Sequence, residues 1–168
     1  MTRTLDVRAE TFPLRQAFRI SRGSRTEARV VLVEIAEGDA RGRGESVPYG
    51  RYGETIEGVL EAIEGLRPAI EAGMDRTALQ AAIAAGAARN ALDCALFDLE
   101  AKASGTTAAA LAGLPALQPV TTAVTVSLGT PEEMAAEAAG HAGYALLKVK
   151  LGGTGDPARI RAVRDAAP

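Results

Sequence analysis

Between Tyr144 and Leu151 the chain reads Tyr-Ala-Leu-Leu-Lys-Val-Lys-Leu, a buried-strand pattern that nonetheless carries lysines at positions 148 and 150. Side chains alternate faces along a strand, so residues two apart point the same way at roughly 7 Å spacing. Leu147, Val149 and Leu151 are then expected to form one apolar face, and Lys148 and Lys150 to share the other. Two like charges on the inner face of a parallel strand are costly unless something anionic meets them. At the C-terminal end of such a strand, the pair would point into the mouth of an α/β fold, where active sites form. The same spacing also suits an edge strand that uses lysines to block pairing with other chains. The pattern alone leaves both readings open.

The surrounding pattern is α/β. Val120 to Ser127 reads as a strand, and Thr130-Pro-Glu-Glu133 supplies an N-cap, a proline at N1 and a glutamate at N3. The helix begun there is expected to reach about Ala142 and lead into the lysine strand. Gly152 to Gly155 makes a loop, and Asp156-Pro157 is expected to cap a last helix. Strand, helix, strand, helix over residues 118–168 is too little to close a sheet or cover both its faces. A fragment, or a chain completed by a partner, is therefore expected.

Residues 1–117 read differently. A strand over residues 3–14, a basic loop over 18–26, a strand from Arg29 to Ile35, a turn at Gly38-Asp39 and a strand from Arg41 to Val47 predict an antiparallel meander. Helices follow: Glu54 to Leu66, stopping before Pro68; Asp75 to Ala85, with Asp75 as N-cap; and Ala87 to Ser104. On the last, Leu92, Leu96, Leu99 and Ala103 are expected to line one face, with Gly105 as C-cap. Cys94 on that helix is expected to be a buried, inert thiol.

Several function classes fall away. Charged residues are 24% and hydrophobic ones 47% of the 168, an ordinary globular balance, and a net charge of −2 gives no footing for nucleic acid. One cysteine allows no internal disulfide and no cysteine-based zinc site. The amino terminus lacks the apolar core of a signal peptide, and no apolar run approaches the ~20 residues of a membrane span. A cytoplasmic protein with no membrane partner is expected. His141, the only histidine, sits near a helix end as a surface residue, so triad hydrolysis has no components.

Four strings, in order, carry a resemblance. They are Phe18-Arg-Ile-Ser-Arg-Gly-Ser-Arg-Thr-Glu-Ala-Arg-Val-Val31, Gly44-Glu-Ser-Val-Pro-Tyr-Gly-Arg-Tyr-Gly-Glu54, Ala87-Ala-Arg-Asn-Ala-Leu-Asp-Cys-Ala-Leu-Phe-Asp-Leu99 and Leu146-Leu-Lys-Val-Lys-Leu151. Together they resemble the enolase superfamily, in particular the L-Ala-D/L-Glu (dipeptide) epimerases. The resemblance implies an α+β capping domain over residues 1–117, with about three antiparallel strands plus helices. It implies that residues 118–168 are the first two β/α units of a truncated (β/α) barrel. A Mg²⁺ cofactor, a small dipeptide substrate and a possible homo-oligomer are implied as well. The metal ligands and a second catalytic lysine would lie beyond Pro168, so the isolated chain is expected to be inactive. Lys base with Mg²⁺ is the general pattern of this superfamily.

The same resemblance implies roles. Lys150 would take the α-proton of the D-Glu diastereomer, and Lys148 would hold the substrate carboxylate and tune Lys150. Arg25 would pair with the glutamyl side-chain carboxylate, as a guanidinium does bidentately. Thr125 would hydrogen-bond the dipeptide; threonine is also a good strand former, which leaves a structural role open. Other readings remain: a different muconate-lactonizing or mandelate-racemase-like enzyme, a non-catalytic capping module, or a dinucleotide-binding protein. The last rests on Gly153-Thr-Gly155-Asp-Pro-Ala158, which fits G-x-G-x-x-A. Against it, a dinucleotide-binding first strand is apolar on both faces, whereas this one carries two lysines.

Overall fold

A computed structural model describes residues 2–21, 23–114 and 116–168. Arg22 of the expected basic loop lies outside the described residues. The chain divides into two compact units: Met1–Phe12 with Arg29–Leu117, and Pro13–Ala28 with Gln118–Pro168.

Three strands form the first sheet, β1 (Arg3–Ile20), β2 (Gly23–Glu37) and β3 (Ala40–Ser46), in that order. A connection as short as that between Ile20 and Gly23 permits only antiparallel pairing. The expected basic loop is thus mostly strand: Phe18 to Ile20 belong to β1, and Gly23 to Thr26 to β2. Polar, exposed side chains hid this, because a ribbon is held by backbone bonds that side-chain polarity does not report. β2 and β3 pair antiparallel up to Glu37 opposite Ala40, across a Gly38-Asp39 turn with Gly38 at φ 59°.

In the first unit, Val31, Val33 and Ile35 of β2 alternate into the core. Opposite them, β3 turns Gly42, Gly44 and Ser46 inward and Arg41, Arg43 and Glu45 outward. A helix, α3 (Ala87–Ala103), follows α1 (Ile56–Glu71) and α2 (Arg76–Ala82) and covers this glycine face. Its Ala91, Leu92, Ala95, Leu96 and Leu99 join Ile63 and Ile70 of α1 and Leu79 of α2 in this core. Two expectations for α3 fail. Cys94 is exposed, because it lies two residues, about 200°, from both Leu92 and Leu96 and so faces away from the sheet. Burial of part of the side chain and the carboxylate of Asp93 still push the thiol's pKa up. Ala103 is also exposed, lying beside Gly38 to Arg41 at the turn, past the end of the packed surface.

Helix α1 does not stop before Pro68 but runs through it to Glu71. An interior proline costs about 3 kcal/mol. The turn beyond it is retained because Ile70 is fully buried, and Arg67 pairs with both Glu64 and Glu71. Helix α2 begins as expected, with the Asp75 carboxylate accepting from Ala78 N–H. A one-turn helix, α4 (Ala108–Leu111), was not foreseen; Thr107 caps it.

The second unit contains β4 (Ala123–Val126), α5 (Pro131–Gly140), β5 (Leu146–Val149) and α6 (Asp156–Ala166). The strands pair in parallel. Thr130 and Glu133 form the foreseen reciprocal cap of α5, with Pro131 at its first position. Val126, Met134, Ala138 and Val163 make the unit's own small core, with Leu147 and Val149 packed on it. Strand β4 is shorter than expected, because its backbone finds partners only where β5 stands opposite; Val120 is exposed. Leu151 is exposed too, since the chain leaves the strand before reaching it. Among the described residues, no helix is long and apolar enough to cross a membrane.

Candidate active site

The register of the parallel pair sets Thr125 opposite Lys148 and Val126 opposite Val149. The ladder extends one step further, with Lys150 N–H donating to the Val126 carbonyl at 3.0 Å. Residues paired across a sheet share a face, so Thr125 and both lysines meet at the C-terminal end of the two strands. Thr125 and Lys150 are half-buried, and Lys148 is exposed. The lysine spacing forces the two cations together. The hydrogen-bonding contact of Lys148 with Lys150, and after it lost hydration and charge repulsion, pushes Lys150 below the ordinary lysine pKa. An amine base needs a shift in that direction.

One neighbour was not read from the sequence as part of the site. The ring of Phe18, on β1, lies over Lys150 Nζ with 5.7 Å to the ring centroid, within the ~6 Å reach of a cation–π contact. Leu128 N–H, just beyond β4, donates to the Arg19 carbonyl at 3.2 Å and holds this part of β1 beside the strand end. The signal was present: Phe18 opens the first of the four strings, but an aromatic among arginines carries no geometry by itself. Arg25 stands exposed on β2 in the same unit. The structure therefore brings Thr125, Lys148 and Lys150 together and places Arg25 on the same hairpin as Phe18.

The glycine-rich turn after Lys150 is already filled. The Asp156 carboxylate accepts from Gly152 N–H at 3.0 Å and from Gly153 N–H at 2.6 Å. Amides that would cradle a dinucleotide phosphate are thus taken by the chain's own carboxylate, which would also repel that phosphate. As for a metal, no group of three or more His, Cys, Asp or Glu among the described residues is placed to hold one. The site's polar side chains are two lysines and a threonine, whereas Mg²⁺ takes oxygen ligands, chiefly carboxylate and water. These residues do not fit a magnesium ion.

Residues 2–113 match the family described as Mandelate racemase / muconate lactonizing enzyme, N-terminal domain. The chain belongs to this family. Within this mandelate racemase / muconate lactonizing enzyme family, it is 47% identical to the L-Ala-D/L-Glu epimerase of Escherichia coli, over 99% of the chain and 52% of that protein. Among solved structures it resembles an enolase family member from Agrobacterium tumefaciens with homology to dipeptide epimerases, solved with sodium and L-Ala-L-Glu. The TM-score is 0.93 at 52% identity, covering 99% of this chain and 51% of the other. A dipeptide epimerase from Enterococcus faecalis, complexed with Mg and L-Leu-L-Tyr, superposes at a TM-score of 0.85 with 31% identity, covering 100% of this chain and 51% of that one. The chain spans about half the length of the relatives it matches. Its architecture, three antiparallel strands with helices and then two parallel β/α units, is that of a capping domain followed by the start of a barrel.

Proposed function

We propose that these residues are part of a Mg²⁺-dependent dipeptide epimerase that interconverts L-Ala-D-Glu and L-Ala-L-Glu. Residues 1–117 act as its capping domain and 118–168 as the first part of its barrel. One observation carries the reading: a half-buried lysine, depressed in pKa by a second lysine, at the end of a parallel strand pair beside a threonine. Lys150 in its neutral form takes the α-proton of the D-Glu diastereomer and leaves an enolate. Lys148 keeps its charge and holds the substrate carboxylate, while Thr125 hydrogen-bonds the peptide. Similarity to proteins named for this reaction supports the substrate class. The Enterococcus structure supports Mg²⁺, whose ligands are to be sought outside the described residues. A cytoplasmic location, a possible homo-oligomer and the absence of a nucleic-acid partner complete the proposal.

Exchange at the α-carbon tests it. The full-length protein, with Mg²⁺, is expected to exchange the glutamyl α-proton of L-Ala-D-Glu for solvent deuterium while forming L-Ala-L-Glu. Absence of both, in folded protein, overturns the reading. The 168-residue chain alone is expected to turn over no L-Ala-D-Glu, with amide exchange faster from residue 119 onward than in the first unit. Measurable turnover by the isolated chain, or uniformly slow exchange through Val120 to Ala167 in a monomer, would count against this.

Arg25 sets the preference for an acidic second residue, because a glutamyl carboxylate in a closed site needs a cation. Arg25→Ala is expected to lower kcat/KM for L-Ala-D-Glu by about 1.5–3 kcal/mol, the worth of a charged hydrogen bond. A dipeptide with an apolar second residue should lose far less. Equal losses on both substrates would remove Arg25 from specificity.

A further inference from the structure

Lys150 leads at once into a loop that, unfastened, would leave the strand end free to wander. Gly153 and Gly155 in it hold φ values of 107° and 92°, and glycine backbone has the most freedom to regain on release. Two side chains fasten this loop. Asp156 turns Oδ1 to Gly152 N–H and Oδ2 to Gly153 N–H, back toward Lys150 rather than into α6. Arg159, nearly one turn along α6, donates from Nη1 to Asp156 Oδ1 and to the Thr154 carbonyl, both at 3.0 Å. Its Nε reaches a different loop, donating to the Gly129 carbonyl at 2.9 Å between β4 and α5.

The two loops also touch directly. A Cβ on Gly152 would stand 2.8 Å from a methyl of Leu128, so the two loops approach closely at that point. The Asp156 and Arg159 side chains are only 18% and 23% exposed, and the Arg159 bonds to Gly129 and to Asp156 are partly buried. The two glycine amides, above all, hold the Asp156 carboxyl below its usual range, so it stays ionised at neutral pH. Capping α6 would need neither the bond to Gly129 nor both oxygens turned to the loop. The contacts run instead between the segment leaving Lys150 and the segment leaving Thr125.

We propose that Asp156 and Arg159 are positioning residues for Lys150, locking the loop after Lys150 to the loop after β4 and so fixing the lysine over one face of the substrate. This rests on Lys150 being the base that takes the α-proton. Neither side chain is required to touch substrate. A lysine that wanders spends less time in line with the α-proton, so the loss falls on the chemical step and on one face only.

The test uses the full-length protein with Mg²⁺ and measures deuterium exchange from each diastereomer in Asp156→Asn, Arg159→Lys, Lys150→Ala and the parent. Asp156→Asn and Arg159→Lys are expected to lower kcat for exchange from L-Ala-D-Glu about ten- to a hundredfold, as a misplaced group does, with KM little changed. Exchange starting from L-Ala-L-Glu should persist. Equal loss from both diastereomers, or loss from neither, overturns the positioning role. If Lys150→Ala keeps exchange from the D side, the proton-abstraction reading itself has failed and the proposal falls with it. If Lys150→Ala loses it while both other variants keep it, the positioning role alone is wrong. Amide exchange at Gly152 and Gly153 gives a second readout without turnover: it is expected to accelerate in Asp156→Asn, and an unchanged rate overturns the proposal. Should Arg159→Lys fail to fold, Asp156→Asn carries both measurements.

Discussion

Replacing Lys150 with alanine in the full-length protein is expected to abolish α-proton exchange from L-Ala-D-Glu while leaving exchange from L-Ala-L-Glu in place. The asymmetry arises because the proposed epimerisation needs a base on each face of the α-carbon. A free lysine titrates at about 10.4 and is almost wholly charged at pH 7, whereas a useful base lies nearer 7–8. Lys148 pushes Lys150 in that direction. Loss of a positioned general base costs about a hundred- to ten-thousandfold, so the D-side signal should fall to background. Lys148→Ala should behave differently. With the neighbouring ammonium gone, the Lys150 pKa rises, the neutral fraction at pH 7 falls, and the acid limb of kcat/KM moves to higher pH. Activity would then partly return on raising the pH, beyond what Lys150→Ala recovers. A D-side signal that survives Lys150→Ala removes this lysine from the mechanism; an acid limb that stays in place after Lys148→Ala removes the tuning role.

The placement of the candidate residues was more legible in the sequence than their setting. Lys148, Lys150 and Thr125 were legible because period-two alternation fixes faces once a strand and its neighbour are granted, and the observed register places Thr125 opposite Lys148. The start of α5 was legible because an N-cap is local chemistry: Thr130, Pro131 and Glu133 act within one turn. What the sequence hid was tertiary. Pro68 reads as a stop, and only the burial of Ile70 beyond it explains why the helix continues. Phe18 reads as a loop aromatic until β1 and β5 are known to bring it over Lys150. Cys94 reads as buried when hydrophobicity is judged by residue type, and as exposed once its angle on α3 is measured from Leu92 and Leu96.

The largest unread signal was Arg41-Gly-Arg-Gly-Glu45, an alternation whose inward members are both glycine. Glycine inside a strand usually weakens it, and its presence at two inward positions marks a close backbone approach. Here α3 is what approaches. A Cβ on Gly44 would lie 2.0 Å from the Ala91 carbonyl oxygen and 2.7 Å from the Ala95 nitrogen, and one on Gly42 would lie 2.0 Å from the Ala95 carbonyl oxygen. These are backbone atoms of a helix whose Ala91, Leu92 and Ala95 are fully buried, so a rotamer change cannot relieve the clash; the helix must move away from the sheet. Overpacking a core costs about 1–3 kcal/mol and sometimes more, and with rigid atoms on both sides Gly44→Ala should reach the upper end. About 3 kcal/mol is a large share of the ~5–15 kcal/mol that holds a domain folded. Tm is then expected to fall by about 6–12 °C. Gly65→Ala in α1 is the matched control. A Cβ there meets nothing within 4 Å, and the change removes a glycine from a helix interior, so about 0.5–1 kcal/mol of added stability is expected. Thermal unfolding of the two variants beside the parent chain decides it. A Gly44→Ala protein as stable as the Gly65→Ala protein would mean that the close seating of α3 on β3 is not what these glycines are for.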